Sequence, residues 1–316
     1  MTLPPPPSSS LEVALVGAGR VGTAVAELLR RRGHTVAWVA SRTESSARRA
    51  AATLGAPVAD LDSPARGGRR PHLDARPARR DRRQHPAADV ILIGAGDDAI
   101  AEVAARIAPL AGPGTVVCHF AGALGLEPLE PVVSAGAGAC ALHPVQSCPS
   151  VAAALERLPG SVWGVTAPPH LAAWAHELVA EVGGTPVDVA GPVRPLWHAA
   201  AVTASNGLVA LLHTAESLLQ AAGIEPALQV LGPLVEGTLA NVWGRGPAEA
   251  LTGPAVRGEA ATIERHLEVI GATAPDLAEP YAAAAALILA AGRRAGKVEG
   301  RTEASVLALL NDARDT

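Results

Sequence analysis

The sequence predicts an α/β protein in which a doubly wound, mostly parallel sheet is followed by an all-helical second domain. Three observations lead to this prediction. Strand and helix patterns alternate from Leu11 to about Gly191, which is typical of a parallel sheet covered by helices on both faces. A glycine-rich turn joins the first strand to the first helix. After Pro192 only helical periodicity remains, interrupted by the turns GIEP, GRGP and TGP.

The elements follow from the spacing of apolar residues. Short apolar runs predict strands, and apolar residues three and four apart predict helices. The first strand, helix and strand form a βαβ unit of about thirty residues. The seven predicted strands are residues 11–16, 34–41, 89–96, 114–122, 137–145, 160–167 and 185–191. We therefore predict a sheet domain over residues 11–191 and a helical domain over 192–316. Residues 1–10, with four prolines and three serines, are predicted to be a disordered leader.

Composition limits the classes of function. Of the 316 residues, 49% are hydrophobic and 2% aromatic, and the net charge of −4 argues against a nucleic-acid partner. The segment 63–88 is the exception, with eight arginines and two aspartates. It is interpreted either as an anion contact or as a disordered surface insertion. The second interpretation is favoured, because no aromatic residues are interleaved for stacking on bases.

Three cysteines without CxxC spacing, Cys118, Cys140 and Cys148, are typical of reduced thiols in the cytoplasm. The amino terminus has no signal-peptide pattern, and no apolar stretch is long enough to cross a membrane. The histidines and cysteines lack the spacing of metal ligands, so no metal site is predicted. These features indicate a cytoplasmic protein without a membrane partner.

The glycine-rich turn has the context of a dinucleotide-binding loop. It reads Gly17-Ala18-Gly19-Arg20-Val21-Gly22, follows a strand and opens a helix. Gly17 permits the tight turn, Gly19 lets the backbone approach a pyrophosphate, and Gly22 lets the helix pack on the sheet. Free N–H groups at the helix N-terminus favour an anion. The sheet is therefore interpreted as a Rossmann sheet.

The end of the second strand selects the cofactor. An NAD site would place Asp or Glu there, whereas this chain has Ser41, Arg42 and Thr43. A guanidinium and two hydroxyls can bind a 2′-phosphate, so the sequence predicts NADP (NADPH) as the cofactor. The last residues of the predicted strand at 89–96 complete the predicted cofactor site; they are Gly94, Ala95 and Gly96.

Several blocks occur in an order that resembles a known family. They are GAGRVGTAVAELLRRRGHTV, GAGDDAI, HFAGALG, ALHPVQS, RPLWHAAAVTASNGLVALL and LTGPAVRGEAATIERHL. Together they resemble bacterial Rossmann-like proteins with a C-terminal helical domain of unknown function. That family lies within the pyrroline-5-carboxylate reductase, ketopantoate reductase and 6-phosphogluconate-dehydrogenase-like group. The resemblance implies NAD(P)-dependent oxidoreduction, a 6-phosphogluconate-dehydrogenase-C-terminal-like helical domain and a homodimer formed through it.

Two histidines are the candidate proton donors, because imidazole titrates near neutral pH. His198 and Ser205 are seven residues apart on one predicted helix, so they share a face, with Asn206 beside them. His143 ends an apolar strand at the sheet edge where α/β sites lie. Helix packing is the alternative role for each histidine. The hydroxyacid-dehydrogenase relatives have a catalytic lysine where this chain has Thr203.

A second anion site is predicted in the helical domain. Thr252 and Gly253 precede Pro254, which is typical of a helix start. Its N-terminus and Arg257 could hold a substrate carboxylate, and a plain helix cap is the alternative.

The function favoured by these observations is NADP-dependent hydride transfer to a small carbonyl or imine that carries an anionic group. Two alternatives stay open. A deazaflavin-dependent NADP reductase would have a similar nucleotide half, and the missing lysine leaves room for an NADPH-sensing protein without catalysis.

Overall fold

A computed structural model of the chain describes residues 4–61, 87–298 and 300–312. Contacts divide the chain into two compact units, residues 1–202 and 203–316. The division falls one helix beyond the predicted boundary at 191/192, because the side chain of Arg194 on that helix is fully buried in the first unit. Nearly all of the arginine-rich segment predicted at 63–88 lies outside the described residues.

The first unit contains all seven predicted strands in one sheet, which confirms the predicted fold class. The strands are β1 Glu12–Val16, β2 Thr35–Ala40, β3 Val90–Ile93, β4 Val116–His119, β5 Gly138–Pro144, β6 Val162–Thr166 and β7 Thr185–Asp188. Their order is β2-β1-β3-β4-β5-β6-β7, and every neighbouring pair is parallel except β5 and β6. β3 and β4 are buried along their whole length, as expected for strands covered on both faces.

Seven helices accompany this sheet. They are α1 Arg20–Arg31, α2 Glu44–Leu54, α3 Ile100–Ile107, α4 Glu130–Ser134, α5 Val151–Arg157, α6 Ala172–Glu181 and α7 Arg194–Val202. Two apolar clusters result: one packs β1, β2 and α1 with α5 and α6, and the other packs β1 and β3 with α3 and α4. Because β2 and β3 lie on opposite sides of β1, the chain reverses its winding direction there. Ligands of open α/β sheets bind at such a switch point, outside the carboxyl ends of the strands.

The predicted disorder of the leader is wrong for residues 4–10. Pro4 and Pro7 are buried, and the indole Nε1 of Trp174 donates a 2.8 Å hydrogen bond to the carbonyl of Pro5. The backbone N–H of Ser8 donates to Glu177 Oε1 at 2.9 Å. The segment therefore packs along α6, and its proline rings supply apolar surface to the first unit.

The second unit is helical throughout its described residues. A π-type turn at Thr203–Gly207 precedes seven helices: α8 Leu208–Ala221, α9 Ala227–Arg245, α10 Pro247–Ala250, α11 Pro254–Arg257, α12 Ala260–Thr273, α13 Ala278–Arg294 and α14 Gly300–Asp312. The four helices α11, α12, α13 and α14 together form a small apolar core. None of the residues of α8 is buried, and in α9 only Ala227 is. In the described part of the chain, no helix has both the length and the apolarity to cross a membrane.

Candidate active site

A cavity of about 490 Å³ opens at the carboxyl ends of β1, β2 and β3. Three loops that the sequence predicts for cofactor binding line it. Its lining includes Gly17 and Gly19 after β1, Ser41, Arg42 and Thr43 after β2, and Gly94, Ala95 and Gly96 after β3. The structure thus brings together residues that are more than seventy positions apart in the sequence. A volume of this size is ordinary for a cofactor or small-molecule site.

Glycines make the close approach of the first and third loops possible. The Gly17 N–H donates to the carbonyl of Ala40, and the Gly19 N–H donates to that of Gly94. A Cβ on Gly22 would lie 2.8 Å from the Cα of Gly94, and one on Gly19 would collide with the Gly94 carbonyl oxygen. The motif is therefore required for packing between the loops. At Gly19 this packing is a second reason for glycine beside the predicted approach to a ligand, and Gly19 also lines the cavity.

Arg20, Val21 and Gly22 do not line the cavity, although they were predicted to bind the cofactor. The Arg20 guanidinium donates to the carbonyl of Pro149 at 3.3 Å, and Val21 packs against the core of the first unit. No side chain caps the N-terminus of α1. Its first backbone N–H groups are thus the part of this segment that can face an anion.

The second loop places a cation beside a helix N-terminus. Among the described residues Arg42 makes no hydrogen bond or ion pair, and its side chain is exposed. Thr43 caps α2 by accepting a hydrogen bond from the Ser46 N–H at 3.3 Å. Ser46, which sequence analysis missed, also lines the cavity. Its position three residues after the cap was the signal for it.

Two carboxylates in the lining were also missed. Asp60 follows α2 in the chain. Glu102 lies on α3, one helical turn before Arg106. Neither carboxylate stands at the end of β2, where the sequence analysis found Ser41, Arg42 and Thr43 in place of Asp or Glu. No motif connects these positions with the glycine turn, because only the packing of the sheet brings them together.

A second group of polar side chains lies at the carboxyl ends of β4 and β5. The rings of His143 on β5 and His198 on α7 are perpendicular, with centroids 5.3 Å apart. Both face Gly122, where a Cβ would lie 2.7 Å from Cγ of His198 and 2.9 Å from Nε2 of His143. The structure thus brings together the two predicted histidines. It also explains the glycine of the HFAG block.

His143 is held by a residue that sequence analysis missed. The indole Nε1 of Trp197 donates a 3.0 Å hydrogen bond to Nδ1 of His143. A Cβ on Gly164 would lie 2.7 Å from the indole, so the glycine on β6 makes room for this ring. Burial, followed by the charges of His198 and Arg194, lowers the pKa of His143 to about 4.

Arg194 is the other missed residue, and its side chain is fully buried. Its guanidinium donates to the carbonyl of Ala121 at 2.6 Å and to Thr166 Oγ1 at 2.9 Å, with longer bonds to the carbonyls of Ala141 and Gly164. No carboxylate of the described residues forms an ion pair with it. Burial lowers its pKa to about 10, so it stays charged at neutral pH. Its guanidinium is thus a buried positive charge, on which the charges of Glu127 and Asp97 also act.

His119 at the end of β4 has a structural role. Its Nε2 is 2.7 Å from the carbonyl of Gly125, and its Nδ1 accepts from the Ala121 N–H at 3.2 Å. Burial lowers the pKa of His119 to about 4. Both ring nitrogens are thus occupied by the loop that carries Gly122.

The other two predicted catalytic residues are placed differently from expectation. Ser205 and Asn206 are exposed and belong to the π-type turn at Thr203–Gly207 in the second unit. The α-helix that holds His198 ends at Val202. Because a π-type turn changes the number of residues per turn, spacing by seven residues no longer argues that these side chains share a face with His198.

The predicted substrate site at Thr252, Gly253 and Arg257 finds no geometric support. α11 is only four residues long and ends at Gly258, which adopts the left-handed conformation. Arg257 is held by Glu259 through two hydrogen bonds of 2.6 and 3.2 Å. The Thr252 side chain does not cap the helix. A one-turn helix has little dipole to offer a carboxylate.

The sheet order and the crevice at its switch point define a protein with a Rossmann-like fold. Residues 6–69 match the family model of the Rossmann-like domain, and residues 161–288 match that of "Domain of unknown function (DUF2520)". Two stretches of the chain are thus similar to a Rossmann-like domain and to a DUF2520 domain, which confirms the resemblance found in the sequence. The second match begins at β6, so it includes the last two strands and α7 as well as most of the helical unit.

Solved structures share this fold at low sequence identity. A proposed NADP oxidoreductase from Bacteroides fragilis is 24% identical with a TM-score of 0.69, over 89% of this chain and 98% of that one. An imine reductase from Myxococcus stipitatus in complex with NADP+ is 16% identical with a TM-score of 0.62, over 95% and 99%. A reductive aminase from Aspergillus terreus in complex with NADPH and ethyl-5-oxohexanoate is 17% identical with a TM-score of 0.56, over 96% and 94%. No curated protein is similar enough in sequence to count as a match.

Proposed function

We propose that this protein is an NADP-dependent oxidoreductase that reduces a small carbonyl or imine carrying an anionic group. The observation that supports it best is the cavity formed by the two glycine loops and the Ser41–Thr43 turn, where the guanidinium of Arg42 has no partner among the described residues. NADP+ and NADPH are bound by the imine reductase and the reductive aminase that share the fold.

The residues present fit this cofactor. Arg42, Ser41 and the N-terminus of α2 would hold a 2′-phosphate, and the backbone N–H groups that open α1 would face the pyrophosphate. A dinucleotide that crosses the switch point extends from β2 past β1 toward β3 and β4. Its reactive end would then approach the edge that carries Gly122, His143 and His198.

When bound, NADPH supplies a hydride, which adds to the carbon of the C=O or C=N bond and leaves an electron pair on the oxygen or nitrogen. His198 then gives a proton to that atom, because imidazole is effective as an acid near neutral pH. The buried charge of Arg194 favours a substrate with negative charge.

The test is a turnover assay. We would incubate the protein with NADPH and a panel of small 2-oxo acids and cyclic imines with a carboxylate, beside their neutral esters and amides. The expected result is loss of the NADPH absorbance with at least one acid and at least tenfold slower loss with its neutral counterpart. Binding of NADPH without any turnover would instead support a sensor. Turnover only with a deazaflavin would support the deazaflavin-dependent alternative.

The proposal includes a homodimer formed through the helical unit. α8 and α9 have 33 residues between them, of which only Ala227 is buried. Many of the exposed ones are apolar, including Val209, Leu234 and Trp243, and the Trp243 side chain is 81% exposed. Exposed apolar surface of this kind marks an interaction site. A second copy of the chain is the partner that the family resemblance implies.

A further inference from the structure

The hydrogen bond between Trp197 and His143 fixes where the proton on His143 lies. An indole nitrogen can only donate, so Nδ1 of His143 must accept with its lone pair. In a neutral imidazole the hydrogen is then on Nε2. Protonation of Nδ1 would break the bond to Trp197 and leave an indole N–H without its partner.

The charges around His143 favour the neutral ring as well. The titratable and charged groups that act on it are His198 and Arg194, both on α7, and both disfavour a second positive charge. Arg194 forms no ion pair within the described residues, although the charges of Glu127 and Asp97 also act on it. Burial of the ring has the same effect.

The Nε2–H of His143 is available for a ligand. No hydrogen bond of the described residues uses Nε2, and it is not among the buried side-chain atoms without a partner. In contrast, Nδ1 of His198 is buried and unpartnered. Both nitrogens face Gly122, which has no side chain to cover them.

We propose that Trp197 is a positioning residue that holds His143 as a neutral Nε2–H donor, and that this donor binds the oxygen or nitrogen of the substrate's double bond. The inference rests on the proposed function and assigns different tasks to the two histidines. His143 polarises the bond and keeps its proton, whereas His198 supplies the proton that is transferred. A neutral imidazole can stabilise the charge that develops on the heteroatom without competing for the proton.

The first test needs neither cofactor nor substrate. Long-range proton–nitrogen NMR spectra of the 15N-histidine-labelled protein report the tautomer of each ring, and His143→Asn identifies the His143 signals. The expected result is a single Nε2–H tautomer that stays neutral from pH 5 to 8. In Trp197→Phe, which keeps an aromatic ring but lacks the donor, a mixture of tautomers is expected.

Trp163→Phe is the matched control. Trp163 is a buried tryptophan of the first unit, whereas Trp197 is half-buried. The Nε1 of Trp163 has no hydrogen-bond partner in the described part of the chain, so the tautomer of His143 is expected to stay unchanged. The inference is overturned if the wild-type ring carries its hydrogen on Nδ1, is charged at pH 7, or keeps one tautomer in Trp197→Phe.

The second test follows turnover. Trp197→Phe is expected to lower kcat/KM at least tenfold with unchanged NADPH affinity, and to add an ionisation to the pH profile, since His143 becomes able to protonate. A uniform loss of folded protein would not change the shape of that profile. An unaltered profile with unaltered kcat/KM overturns the substrate-binding role. Failure of every substrate alongside the expected tautomer contradicts the proposed function and, with it, that role.

Discussion

Trp197 and His143 are joined by a hydrogen bond although 54 residues separate them in the sequence. The bond attaches α7 to the carboxyl end of β5 at the point where His198, the next residue on α7, meets the His143 ring. Arg194, one turn earlier, attaches the same helix to β5, to β6 and to the loop after β4. The orientation of the two imidazoles therefore depends on how α7 is bound to the sheet.

Gly122→Ala is expected to disrupt this pair. The added methyl group would contact both rings at less than van der Waals distance, so at least one must move. We expect turnover to fall at least tenfold while NADPH affinity is preserved, since Gly122 does not line the cavity. The control is Gly112→Ala, where the nearest atom would be 4.0 Å from the new Cβ. Equal turnover in both variants would show that the pair is not part of the site.

Arg42→Ala is expected to remove the preference for NADPH. A charge-assisted hydrogen bond contributes about 1.5–3 kcal/mol, which corresponds to at least a tenfold change in affinity. Fluorescence titrations should give at least tenfold tighter binding of NADPH than of NADH in the wild type and similar affinities in the variant.

Arg48→Ala is the control for Arg42. Arg48 lies on α2 but pairs with Glu44 and does not line the cavity, so its loss should leave the preference intact. If the wild type binds both cofactors equally, the assignment of the 2′-phosphate site is wrong.

Acid is expected to destabilise the first unit through His119. Its pKa falls from 6.5 to about 4 on folding, so between these values the unfolded chain binds a proton that the folded protein does not. The contribution to stability is complete above about pH 6.5 and is lost as the pH falls toward 4. Between pH 7 and 5 the loss amounts to up to about 2 kcal/mol.

Urea denaturation at pH 7 and pH 5 measures this loss. His119→Asn should be less stable at pH 7 and should lose less stability on acidification than the wild type. His213→Asn changes an exposed histidine of the second unit and should behave like the wild type. The same pH dependence in all three proteins would rule out His119 as the cause.

The fold could be predicted because its signals are local. Each strand is an apolar run, and the glycine turn has its strand before it and its helix after it, so periodicity alone gave all seven strands. The leader was misjudged because its composition is that of a disordered segment. Its order depends on Trp174 and Glu177, which lie far away in the sequence. No local pattern contains that information.

The candidate site was predictable only in part for the same reason. His143 could be placed at a strand end and His198 on a predicted helix, but the Trp197 bond and the Arg194 contacts arise from packing of α7 on β5 and β6. A spacing of seven residues places Ser205 on the face of His198 only if the α-helix between them is continuous. The π-type turn at Thr203–Gly207 has no clear sequence signature beyond the glycine that ends it.

Disruption of α9 is expected to separate the proposed dimer. Leu234→Ser and Trp243→Ser replace apolar side chains that are 67% and 81% exposed in the single chain. If a second copy covers them, light scattering should give twice the mass of one chain for the wild type and a shift toward the single chain for the double variant. Val187→Ser, on β7, is the control at an exposed apolar residue of the first unit and should not change the mass. A monomeric wild type would contradict the proposal.

His198→Asn is expected to abolish most turnover once a substrate is identified. Removal of a general acid lowers the rate about a hundredfold or more, whereas removal of a packing histidine lowers stability instead. His198 makes no hydrogen bond within the described residues, and its buried Nδ1 is unpartnered, so the substitution removes no structural bond. The melting temperature and the NADPH affinity should therefore stay close to those of the wild type.

His213→Asn serves again as the control, because that residue is exposed and belongs to the second unit. Turnover that survives in His198→Asn would assign the proton to another residue, and a variant that fails to fold would make His198 a packing residue. In either case His143 would become the better candidate for the acid, and its fixed tautomer would have to be released during the reaction.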